Sequence, residues 1–196
     1  MKKKHVALLL ACVMMLGVAV GGTLAWLTAT APQVENTFTP STINIELKET
    51  GMDANGEQSF KMIPGDVLVK DPKVTVLSGS EACWLFVAVT ESENLDTYID
   101  YSVRTGSGEW TKLDGYKNIY YRTVDENQIG TDFYILTNNA VSVKTSVDKD
   151  AMDAILTSGQ PTLTFNACAV QRAHIDTVAD AWAQAAEGFK NLAAAN

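Results

Sequence analysis

Eight apolar residues in a row, Ala82-Cys83-Trp84-Leu85-Phe86-Val87-Ala88-Val89, follow a Ser78-Gly79-Ser80-Glu81 turn and run out into the polar residues 91–94. A run this short and this rich in aromatic and β-branched residues reads as a strand buried on both faces. Ahead of it, Pro64-Gly65 and Ser78-Gly79-Ser80 are turn punctuation. Between those turns Val74 and Val76 alternate with Lys73 and Thr75. Residues 67–77 and 82–90 are therefore expected to be neighbouring antiparallel strands, the second at the centre of a β-sandwich.

The rest of the chain extends this pattern. Residues 42–48 alternate cleanly, with Ile43, Ile45 and Leu47 on one face. Shorter strands are expected at 98–103, 109–113, 119–124, 132–137 and 141–145, with a hairpin-type turn at Asp114-Gly115. A last strand covers 162–171; Leu163, Phe165 and Ala167 share one face and Cys168 takes the other. A short helix over 148–156 puts Met152, Ile155 and Leu156 on one side and stops at Ser158-Gly159-Gln160-Pro161. From residue 174 to 192, Ile175, Val178, Trp182, Ala185, Phe189 and Leu192 recur at helical spacing. That predicts one amphipathic helix, weakened by Gly188, which either packs Trp182 on the sandwich or offers a partner surface. The expected fold class is all-β: an immunoglobulin-like or jelly-roll β-sandwich with a short helix and a C-terminal amphipathic helix.

Four segments follow: a signal peptide over 1–26, an N-terminal arm over 27–39, a sandwich domain over 40–173 and the helix over 174–196. Lys2-Lys3-Lys4 precedes an apolar run from Val6 to Val20, then Gly21-Gly22-Thr23-Leu24-Ala25. A basic start, a short apolar stretch and small residues before the cut make a secretory leader, cleaved around Ala25, Trp26 and Leu27. The alternatives are an uncleaved anchor, for which the run falls short of the roughly 20 residues a span needs, and a lipoprotein cut before Cys12. Losing 1–25 removes three lysines and no acid, which takes the net charge from −8 to −11. Such acidity disfavours nucleic acid and anionic membranes as partners, and leaves an uncleaved leader as the one route to a membrane. Cys83 and Cys168 remain, and an oxidising exterior permits a disulfide between them if their strands face each other. Two buried free thiols are the simpler reading.

Chemistry is sparse. His5 leaves with the leader, so His174 is the only histidine for a zinc pair or a catalytic triad, and no H-E-x-x-H or G-x-S-x-G motif occurs. Cys168 precedes His174 by six residues, yet a histidine at a helix start is most simply a surface residue. Asp53-Ala54-Asn55-Gly56-Glu57 alternates oxygen ligands as calcium loops do, but its glycine comes too early for an EF-hand. Lys61, Lys70 and Lys73 with Asp66 and Asp71 read as a charged edge. Trp84, Trp110, Tyr116, Tyr120 and Tyr121 could form a carbohydrate platform, although aromatics at strand spacing are usually core. No catalytic residue, cofactor or metal site is expected, and the chain does not read as an enzyme.

Three passages carry a resemblance. Gly21-Gly22-Thr23-Leu24-Ala25-Trp26 is followed by Glu35-Asn36-Thr37-Phe38-Thr39 and the alternating Ile43-Asn44-Ile45-Glu46-Leu47. Ile63-Pro64-Gly65-Asp66 and Lys70-Asp71-Pro72-Lys73-Val74 come next. Over residues 21–89 the chain resembles the TasA/camelysin family of Gram-positive bacteria, whose leaders are cut by a SipW-type signal peptidase. The resemblance implies a jelly-roll-like sandwich, secretion to the extracellular matrix or cell surface, and a fibre-forming role in the biofilm matrix. Its implied partners are further copies of the chain, other matrix proteins and cell-wall components. It also implies assembly by strand donation; the donor here would be residues 27–39, with Val34 and Phe38 as its apolar positions. Pro32 cannot donate to a ladder and suits only the start of that arm. The helix over 175–192 has no counterpart in the resemblance. Camelysin-type members are described as surface metalloproteases, and one remaining histidine gives that activity no ligand set here. The main alternative is a soluble cell-surface binding module or adhesin on the same sandwich.

Overall fold

The computed structural model describes residues 42–53, 56 and 58–194. The leader with Ala25, Trp26 and Leu27, the arm with Val34 and Phe38, and part of the 53–57 loop lie outside the described residues. The described residues are mostly β, with three antiparallel sheets and a few short helices. One sheet has the order β1-β3-β8, from β1 (Ile45–Lys48), β3 (Lys73–Val76) and β8 (Asp132–Tyr134). A second runs β10-β4-β7-β6, from β10 (Leu163–Gln171), β4 (Cys83–Glu91), β7 (Ile119–Val124) and β6 (Thr111–Lys112). The third runs β2-β9-β5, from β2 (Val67–Val69), β9 (Ala140–Val143) and β5 (Ile99–Asp100).

β4 sits between β10 and β7, and both its faces are covered. Cys83, Leu85, Val87 and Val89 pack inward with Val74, Val76, Phe133 and Ile135 of the facing layer. Trp84, Phe86 and Ala88 point the other way, under Ala181, Ala185 and Phe189 from the C-terminal segment. That double cover is why the run is apolar at every position instead of alternating. Phe86 is fully buried and lies 5.5 Å from the Trp182 ring; burying a ring of this size contributes about 3 kcal/mol.

Several expectations are corrected. Strand β3 is not the sheet neighbour of β4: β3 pairs with β1 and β8, and the Ser78–Glu81 turn carries the chain across to the other layer. Apolar residues on both strands are satisfied by facing each other across the core, which needs no hydrogen bonds between them. The expected strand over 98–103 begins as a helix, α1 (Leu95–Tyr98), and only Ile99–Asp100 joins a sheet. The helix expected over 148–156 is α2 (Lys149–Ser158); Asp148 caps it by accepting from Ala151 N at 2.9 Å, and Gly159 ends it at φ 84°.

The single C-terminal helix becomes two, α3 (Val178–Gln184) and α4 (Glu187–Lys190). The break falls at Ala185-Ala186, where ψ rises to 148° and 134°, and not at Gly188. Helical propensity does not ask for a break between two alanines. Contacts with the sheet set it, because the bend lets Trp182 and Phe189 meet at 6.0 Å while both cover the β4 face. Trp182 does pack on the sandwich, and its indole N–H donates to the Tyr116 hydroxyl at 3.1 Å.

Cys83 and Cys168 are free thiols. In the β4–β10 register Cys83 lies opposite Gln171 and Cys168 opposite Phe86, three positions along. An odd offset puts the two side chains on opposite faces of the sheet, so the disulfide the sequence allowed for has no geometry here. Burial pushes the Cys83 thiol up to about 11.

One ion pair gives the fold a pH dependence. Asp132 on β8 accepts from Lys73 Nζ at 2.5 Å and from the Thr75 hydroxyl at 2.6 Å. The hydrogen bond from Lys73, then that from Thr75, hold the carboxyl below its ordinary range. A carboxyl depressed by folding stabilises the fold above its unfolded value and stops doing so as pH falls through its folded value. Asp132→Asn is therefore expected to flatten the acid limb of stability between about pH 5 and pH 2, read as the urea midpoint. The pair faces solvent, so the difference should shrink in high salt.

Candidate interaction surfaces

Two surfaces stand out, each at a strand that has a neighbour on one side only among the described residues. The first is β2. Pro64-Gly65 turns the chain, Gly65 taking φ 87°, and its N–H donates to Val143 O at 3.0 Å. Val143 N donates to Asp66 O at 2.9 Å, and Lys70 N donates to Asn139 O at 2.9 Å. Those bonds fix which backbone groups of β2 face β9. By antiparallel alternation, the N–H and C=O groups of Val67 and Val69 point to the open edge. Their side chains are 70% and 68% exposed, and Ile63 beside them is 46% exposed.

Edge strands are usually guarded by a lysine or proline. Lys70 is the natural guard here, but it is withdrawn. Its ammonium pairs with Glu49 at 3.0 Å, the two side chains being only 11% and 7% exposed. It also lies 5.4 Å and 5.5 Å from the rings of Phe60 and Phe165. The expected charged edge around Lys61, Lys70 and Lys73 is thus not one surface: Lys70 is buried with Glu49 and Lys73 is spent on Asp132.

The second surface is a cleft of about 760 Å³ between the β5 side of the structure and the two-residue edge strand β6. Trp110 is fully buried beneath it, its indole N–H donating to Tyr134 O at 2.8 Å. Tyr101 and Tyr120 are half-buried on its walls. The Tyr101 hydroxyl donates to Glu91 Oε1. Burial, then the hydrogen bond to Glu91, raises the Tyr101 phenol, so it stays a donor. Asp96 and Asp100 also line the cleft, and Lys144 pairs with them at 3.0 Å and 3.4 Å.

Beside the cleft Arg122 is held between layers. Its guanidinium lies 3.8 Å from the Phe133 ring centre and 5.6 Å from that of Trp110, and it donates to Gly108 O at 2.9 Å. Burial lowers its pKa and Glu109 partly offsets this. Arg122 thereby ties the Gly106-Ser107-Gly108 turn to the core. Its signal in the sequence is the alternation along Tyr120, Arg122 and Val124, which puts it on the inward face.

The expected aromatic set does not make a platform. Trp84 donates its N–H to Ile175 O at 3.0 Å under the C-terminal segment, Tyr116 meets Trp182 at 5.2 Å, and Tyr121 packs on Trp84 and Phe86. Of the five, only Trp110 and Tyr120 border the cleft. The cleft's carboxylates and Tyr101 form no motif in the sequence, being scattered between residues 91 and 101 and converging only through the turn at α1. His174 is exposed in a turn after β10 at φ 64°. Among the described residues no three His, Cys, Asp or Glu side chains cluster as a metal site, and no helix is long and apolar enough to cross a membrane.

No family model, no curated protein and no solved structure matches this chain.

Proposed function

We propose that this is a secreted structural protein of the extracellular or biofilm matrix, fibre-forming by donation of the arm over 27–39 to the next copy. The observation that carries this reading is the β2 edge. Among the described residues no strand lies beyond it, the backbone groups of Val67 and Val69 turn outward, both valines are exposed, and Lys70 is drawn away to Glu49. Exposed apolar edges of this kind are templates for an added strand. The arm carries Val34 and Phe38, four residues apart and so on one face of an extended strand. The same reading takes the fold as a jelly-roll type of sandwich. In support, inward side chains of β3, β8 and β9 share one core with those of β4.

The test is negative-stain microscopy with sedimentation on a chain starting at Leu27, beside one starting at Pro40. Filaments from the longer chain that vanish in the shorter are expected. Monomers from both, at neutral and acid pH, contradict the assembly reading.

A further inference from the structure

We propose that the cleft between Tyr101 and β6 binds an extended polysaccharide that carries no acidic groups. This site is separate from the β2 edge and does not depend on assembly there.

Shape is the first argument. The cleft is open to solvent, and Asp100, Tyr101 and Ser102 on its wall also border a second, smaller depression of about 390 Å³. An open cleft of this size suits a segment of a longer chain better than a small compact ligand, which would be largely enclosed.

The lining is the second. Sugars present C–H faces and hydroxyl edges, and a site for them pairs ring surfaces with convergent donors and acceptors. Tyr101 and Tyr120 supply half-exposed rings held by packing against the core, so stacking on them orders little that is not already fixed. Glu91 is held by Tyr101 through one oxygen, which leaves the other as an acceptor. Thr105 and Thr111 add hydroxyls on either side.

Charge is the third. Glu91, Asp96 and Asp100 stand against Lys112 in the lining and against Lys144 paired with the two aspartates, a local excess of one negative charge, and the whole chain carries −8. That field repels uronate, sulfate and phosphate groups and tolerates neutral or amino sugars. A peptide strand is the weaker occupant, because β6 offers only Thr111 and Lys112 to pair with.

The experiment is titration of the chain from Leu27 with oligomers of N-acetylglucosamine, their deacetylated amino-bearing forms and polygalacturonate, read by intrinsic fluorescence and calorimetry. Trp110 beneath the cleft is the reporter. Binding of the first two and not of polygalacturonate is expected. Ser102 is exposed on the cleft wall, so Ser102→Arg should fill the cleft without touching the core. It and Tyr101→Ala should each weaken binding at least about tenfold, which is about 1.4 kcal/mol. Unfolding of Ser102→Arg is checked by circular dichroism. No binding by either neutral or amino oligomers overturns the proposal. So does binding that Ser102→Arg leaves intact. Loss of self-assembly in the Ser102→Arg chain without any sugar binding also overturns it, and assigns the cleft to a peptide strand.

Discussion

Replacing Val67 and Val69 together by lysine is expected to abolish self-association of the mature chain while leaving its fold intact. Both side chains are mostly in water already, so the exchange removes little buried surface. Surface changes of this sort usually stay within about 0.5 kcal/mol. In an assembly the same positions would lie against an added strand. Two ammonium groups would then have to be desolvated or turned aside, at a cost that adds for every contact along a fibre. Sedimentation velocity should show a polymer for the unaltered chain and a monomer for the variant, with matching circular dichroism spectra. A variant that still polymerises would remove β2 as the acceptor edge.

Trp110→Ala is the stability prediction with the largest expected effect. The indole is fully buried, donates to Tyr134 O, and packs beside the Arg122 guanidinium. Truncation leaves a cavity, an unpaired carbonyl and an arginine without one of its two ring neighbours. Large aromatic-to-alanine changes in cores cost about 4 kcal/mol, a large part of the roughly 5–15 kcal/mol that holds a domain folded. A fall in the urea midpoint of that size is expected. Trp110→Phe keeps most of the ring and loses the N–H, so it should cost about 1 to 2 kcal/mol. Equal losses for the two variants would mean that the hydrogen bond, and not the packing, dominates.

What the sequence made legible follows from how local each signal is. The doubly buried β4 could be read from residues 82–89 alone, because a run with no polar position has only one way to sit in a sheet. The sides taken by Leu163, Phe165, Ala167 and Cys168 followed from period-two alternation and stand in the β10–β4 register. Which strands pair is not local. The β3 and β4 patterns are equally compatible with a hairpin and with two facing layers, and the long-range pairing of β3 with β8 decides between them. The C-terminal break at Ala185-Ala186 is likewise set by the surface it covers. Exposure of Val67 and Val69 was hidden for the same reason. Apolar residues in a strand pattern look like core until the sheet order puts their strand at an edge of the described residues. The withdrawal of Lys70 depends on Glu49, Phe60 and Phe165, brought together from three separate segments.

The measurement that tests the central claim most directly is hydrogen exchange at the amides of Val67 and Val69, in the free chain and in assembled material. These two N–H groups face the open edge in the single chain and should exchange fast there. On assembly both are expected to become protected by a strand from another copy, while the Leu68 amide, already turned to β9, changes little. Unchanged fast exchange at Val67 and Val69 in polymerised protein would contradict an account in which this edge receives the donor strand.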